Sequence, residues 1–206
     1  MMVSFVSSAE GLEVLVGLAE RVIKPSVRLP SWPFTTMSGV VDVCEFEPST
    51  SADFETVLMS LTQLHGDSSV SFLAIEKESR YFIKHYNFFP GFTLSVDSIP
   101  QGYWAALNHA PGGNEAESLL VRSEVITIFG SSGKWAVWAQ RDWDMAVIFS
   151  ESGPMVWRDR GITFLAPADA VEAWARPNFR LRPLTDRKVE EFVEVFNPVL
   201  RENETI

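Results

Sequence analysis

Between Glu124 and Phe149 the chain carries three apolar runs joined by links of a few residues. Glu124-Val125-Ile126-Thr127-Ile128-Phe129 leads into Gly130-Ser131-Ser132-Gly133. Lys134-Trp135-Ala136-Val137-Trp138-Ala139 follows, and the Gln140-Arg141-Asp142 region separates it from Trp143 to Phe149. β-Branched and aromatic residues favour extended backbone, and Gly and Ser favour turns. Links this short join antiparallel neighbours, because parallel strands need a crossover of a dozen or more residues. The segment therefore predicts an antiparallel meander and argues against a doubly wound parallel sheet.

The remaining elements follow from period. Val40 to Phe46, Val70 to Glu76, Arg80 to Tyr86 and Phe92 to Val96 read as short strands bounded by turn residues. Ser7 and Glu10 form a capping box ahead of a stripe at Leu12, Leu15, Val16, Ala19, Val22 and Ile23, which Pro25 ends. Thr50 or Ser51 caps a second helix, with Phe54, Val57, Leu58, Leu61 and Leu64 at helical spacing until Gly66. A third helix runs from Pro167 to Trp174. A fourth begins at Thr185 or Asp186 and buries Val189, Phe192, Val193 and Phe196. The expected fold is a single α+β domain over residues 1–206, an antiparallel β-sheet with a meander in the C-terminal half and helices packed on one face or at its ends.

Composition narrows function by exclusion. The 206 residues carry a formal charge of −10, which repels nucleic-acid phosphate over the surface as a whole. The basic segment holding Arg176, Arg180, Arg182, Arg187 and Lys188 reads as a solvated face beside a helix. Met1 to Ser8 has no basic leader region, and no apolar run approaches the roughly 20 residues of a membrane helix. With one thiol, Cys44, a reduced cytoplasm is the expected compartment. No metal and no organic cofactor is expected, since one Cys and three dispersed His cannot build the usual tetrahedral site.

Motifs for catalysis are absent: no HExxH, no P-loop and no GxGxxG. Gly130-Ser131-Ser132-Gly133 lacks the GxSxG spacing and is followed by a strand, so it is a hairpin turn. His65 reads as a helix-end residue and His85 as a strand residue. Cys44 has only carboxylates near it in sequence, and reads as an inert buried thiol. The irregular stretch Asn108 to Glu115 makes His109 and Asn114 loop candidates.

Two features carry more weight. From Leu29 to Glu76 there are seven acids and not one Lys or Arg, which predicts an acidic face suited to a basic partner. Five of the seven Trp residues follow residue 130, and a ring left at the surface is a preferred interface anchor. The expected function is a non-enzymatic protein-binding module of the immunity or antitoxin type, inhibiting a basic enzyme. Asp42, Glu45 and Glu47 are expected to steer that partner, and Trp143 with Asp142 and Asp144 to anchor it. The alternatives are a small hydrolase-like enzyme with a site assembled from residues such as His109, Asp142, Glu45 and Cys44, or a sensor with a Trp-lined pocket for a small molecule or peptide.

Overall fold

The computed structural model describes residues 3–75, 79–86, 89–153 and 155–197, with backbone alone for residues 79–81. In chain order the elements are β1 Val3–Phe5, α1 Ala9–Ala19, β2 Val40–Glu45, α2 Phe46–Ser49, α3 Phe54–His65, β3 Ser69–Ala74, α4 Ser79–Tyr86, β4 Gly91–Ser95, α5 Ile99–Leu107 and α6 Leu119–Arg122. Then come β5 Val125–Gly130, β6 Trp135–Gln140, β7 Met145–Ser150, β8 Phe164–Leu165, α7 Pro167–Ala170, a π-helical stretch Val171–Ala175, α8 Arg176–Asn178 and α9 Asp186–Phe196. The strands form one sheet in the order β1-β4-β3-β5-β6-β7-β2-β8. Every neighbouring pair is antiparallel, so the fold is α+β as the sequence predicts.

The meander sits at the centre of this sheet. Its first turn closes with Gly133 N–H donating to Gly130 C=O at 3.0 Å, and Gly133 has φ +69°, a conformation that suits glycine. The second link is a single 3₁₀ turn, Arg141–Trp143, ending at Asp144 with φ 52°. Trp143 therefore belongs to the turn, and β7 starts at Met145. All positions of β5, β6 and β7 are buried, because helices cover both faces of the sheet. On one face Ile126, Ile128, Trp135, Val137 and Ile148 pack with Phe54, Leu58 and Leu61 of α3 and Tyr103 of α5. On the other, Phe129, Trp138, Val147 and Phe149 pack with Leu15 of α1 and Phe192 and Phe196 of α9. Trp135 and Trp138 point opposite ways and both are core.

Some boundaries differ from expectation. Ser8, not Ser7, caps α1, its hydroxyl accepting from Gly11 N–H at 3.0 Å, and the helix ends at Ala19 although Val22 and Ile23 remain buried. The expected strand Arg80 to Tyr86 is instead α4, a helix from Ser79 to Tyr86. Phe82 and Tyr86, one helical turn apart, bring their rings to 6.1 Å. His85 is accordingly a helix residue. Strand β3 ends at Ala74, and Glu76 lies outside the described residues.

Candidate functional site

Glu45 is the last residue of β2, and the chain bends there into α2. Phe46 N–H donates to the Asp144 carbonyl at 3.0 Å, which fixes the start of α2 against the β6–β7 turn. The bend places Glu47 in the first turn of α2, so Glu45 and Glu47 meet through a helical turn rather than through strand alternation. A cleft of about 330 Å³ opens beside them, lined by Glu45, Glu47, Asp53, Ile162 and Trp174 among others. Burial pushes the Glu45 carboxyl above its ordinary value, helped by repulsion from Asp144 and Glu47. Asp144 is raised in the same way, by burial first and Glu47 second, with Arg141 pulling it back. Arg141 is committed elsewhere. Its guanidinium donates to Ser123 and Leu120 carbonyls at 3.1 and 2.7 Å and lies 4.6 Å from the centre of the Phe46 ring. Among the described residues Glu45, Glu47, Asp53 and Asp144 form no ion pair. The arrangement places carboxylates without an ion-pair partner among the described residues at an opening that Ile162 and Trp174 also line.

The other expected site residues are not part of it. Asp42 is 4% exposed. Its carboxylate accepts from Trp157 Nε1 at 2.8 Å and from Arg158 through Nε at 2.8 Å and through Nη2. A carboxylate so enclosed cannot steer an approaching protein, and that assignment is corrected. Trp143 is 2% exposed, stacked on Phe192 at 5.3 Å with Phe179 edge-on at 5.8 Å. It belongs to the core and cannot anchor a partner. Asp142 is exposed, but it turns to its own strand, accepting from Gln140 Nε2 at 2.7 Å, and lines a different depression with Arg28 and Lys188.

His109 is exposed just past α5, its ring 4.4 Å from that of Phe5 in β1. Asn114 caps a 3₁₀ turn, its side chain accepting from Ala116 N–H at 3.1 Å. β1 and β2 are the first and seventh strands of the sheet, so His109 and Glu45 lie roughly 25–30 Å apart at the usual strand spacing. The catalytic assembly of His109 with Glu45 and Cys44 does not form. Cys44 is fully buried, and burial, with Asp42 and Glu45 adding to it, drives its thiol far above the ordinary range. That thiol stays protonated and is no nucleophile.

A serine and a histidine do meet at the other end of β7. His65 Nε2 lies 2.8 Å from Ser150 Oγ. The Ser150 hydroxyl donates to the Ser152 carbonyl at 2.8 Å, so it accepts from His65, the reverse of what a nucleophile needs. Ser150 is also fully buried. Among the described residues no three His, Cys, Asp or Glu side chains converge to hold a metal ion, and no helix is long and apolar enough to cross a membrane.

Sequence reasoning found Glu45, Glu47 and Asp144 but missed Asp53, Ile162 and Trp174. Asp53 was visible as one of the acids of the base-free stretch. Trp174 was visible only as a residue of the third helix, with nothing to say that its ring is half-exposed. Comparison with protein-family models, curated proteins and solved structures finds no match.

Proposed function

We propose that this chain is a non-enzymatic protein-binding domain of the inhibitor or immunity type, and that the cleft lined by Glu45 and Glu47, with Asp144 acting on both carboxylates from beside it, receives a Lys or Arg side chain of a basic partner protein. The observation that carries the reading is the gathering of three carboxylates, of which Glu45 and Asp144 are raised by burial and by acidic neighbours, with no ion pair to any of the three among the described residues. A cation entering the cleft would relieve the repulsion, and its alkyl stem would lie along Trp174. Charge of this kind acts mainly on the rate of encounter, whereas a buried contact governs the rate of escape.

The test is kinetic. A basic partner captured from the native host is measured against the wild type and against Glu47→Lys/Asp144→Lys at two salt concentrations. The double reversal is expected to slow association and flatten its salt dependence. Trp174→Ala is expected to raise the dissociation rate instead. A partner whose association ignores both salt and the double reversal would refute the reading.

A further inference from the structure

The far side of β2 holds a second opening, unrelated to the acidic cleft. Strand β8 pairs with β2 only at Val43↔Leu165 and Cys44↔Phe164, and Pro167 then takes the chain into α7. Outside Val41 and Asp42 the sheet has no further strand among the described residues. α7 and α9 arch over that gap and leave a cavity of about 560 Å³, walled by Val41, Val43, Phe164, Val193 and Phe196. Small-molecule sites fall in the range of about 300–1,000 Å³, with apolar walls and a few fixed polar groups.

The polar group here is the Asp42–Arg158 pair. Asp42 is buried and both its oxygens are engaged. Arg158 also lines the cavity. It donates to Asp42 through Nε and Nη2, and no described residue accepts from its Nη1. The Arg158 side chain is 53% exposed; its guanidinium is held on one edge by Asp42, which balances its charge, and keeps donors unspent. A carboxylate placed there would sit beside a second anion. An uncharged acceptor oxygen would take the free N–H groups without that repulsion.

From this geometry we infer a binding site for an uncharged, mainly apolar small molecule bearing one carbonyl-type oxygen, of the acyl amide, ester or ketone class. The apolar chain fills the space between β2, α7 and α9, and the carbonyl accepts from Arg158. The site is independent of the acidic cleft, and its failure would leave the protein-binding reading untouched.

Matched probes test it. Octanamide and octanoate share a chain and differ in charge, and both are titrated into the full chain at neutral pH by calorimetry. Octanamide is expected to bind one per chain and octanoate at least about tenfold more weakly. Val193→Trp, which fills the cavity from α9, should abolish octanamide binding. Asp42→Asn/Arg158→Met removes both charges together, so that the buried Asp42 carboxylate is not left without its cation, and should erase the preference between the two probes. Absence of saturable octanamide binding, octanoate binding as tightly as the amide, or undiminished binding to a folded Val193→Trp variant would each overturn the inference. Should a variant not fold, the wild-type preference between the two probes decides the matter.

Discussion

Trp143 shows how much a single side chain's environment decides its role. Flanked by Asp142 and Asp144, it looks in sequence like a surface anchor. In the fold its ring is enclosed by Phe179 and Phe192. Its replacement is therefore a matter of stability. Trp143→Ala is expected to cost about 3–5 kcal/mol, read as a lower urea midpoint with little change in slope. A variant as stable as the wild type would show the ring to be dispensable to the core. Glu45 runs the other way. Its carboxylate is disfavoured by burial first and then by repulsion from Asp144 and Glu47, so Glu45→Gln is expected to stabilise the free protein by about 0.5 kcal/mol at neutral pH, a small figure because solvent screens partly exposed charges. The same change should weaken partner binding. Equilibrium unfolding and binding measured on one preparation would show whether the two effects separate.

At the scale of elements, the first meander turn is held from outside by Asp67, which follows the C-cap of α3. One carboxylate oxygen accepts from Trp135 Nε1 at 2.7 Å; the other accepts from Ser131 Oγ at 3.1 Å and from Ser132 N–H. Gly130 makes room for it, since a Cβ there would lie 2.4 Å from both Asp67 Oδ2 and Trp135 Nε1. Asp67→Ala strands the indole N–H of a fully buried Trp135 and is expected to cost about 1–3 kcal/mol. Gly130→Ala should produce a comparable loss by a different route, pushing the carboxylate off the turn. Urea unfolding of both single variants and the double variant tests this, because independent sites would give additive losses and a shared interaction would not.

Elements were legible where the signal was local. The meander, α3 and α9 are carried by their own periodicity, and α9 by its own cap, Thr185 accepting from Lys188 N–H. Residues 80–86 misled because a short run of apolar and aromatic residues fits either period. α5 was invisible for another reason. Pro100 interrupts its pattern, and its capping carboxylate is Glu55, 46 positions earlier, accepting from Gln101 and Trp104 N–H at 2.8 and 3.2 Å. The acidic cleft was half legible on the same grounds, since its carboxylates cluster in sequence while Trp174 arrives only through tertiary packing.

For the molecule as a whole, pH acts through two opposed sets of groups. Burial, with Lys134, lowers His65 from its ordinary 6.5 against the pull of Asp67 and Glu151. The unfolded chain therefore takes up a proton more readily at this position. The stability it contributes is present above about pH 6.5 and is lost as pH falls toward the lowered value. Glu45 and Asp144 are raised, so their contribution is present at acid pH and is lost as pH rises through their raised values. His65→Gln should flatten the loss of stability just below pH 6.5, and Glu45→Gln the loss that begins in the carboxylate range. Unfolding curves collected across that span would expose an unchanged profile in either variant, which would remove that group from the account.

The sheet order also has a consequence for how the molecule is made. Val41 pairs with Phe149, about a hundred positions later in the chain. At ribosomal rates of about 5–20 residues per second, β2 waits on the order of 5–20 s before β7 exists. Throughout that interval Val40-Val41-Asp42-Val43-Cys44 is an apolar strand with no native neighbour, the kind of segment that pairs with other nascent chains. Asp42, later enclosed by Trp157 and Arg158, meanwhile places a full charge at the centre of it and acts as a gatekeeper. Asp42→Asn chains are accordingly expected to aggregate more during cell-free synthesis, even under conditions where the finished protein stays folded. The buried carboxylate thus has a second occupation, earlier in the life of the chain, as a guard on a strand whose partner has not yet been translated.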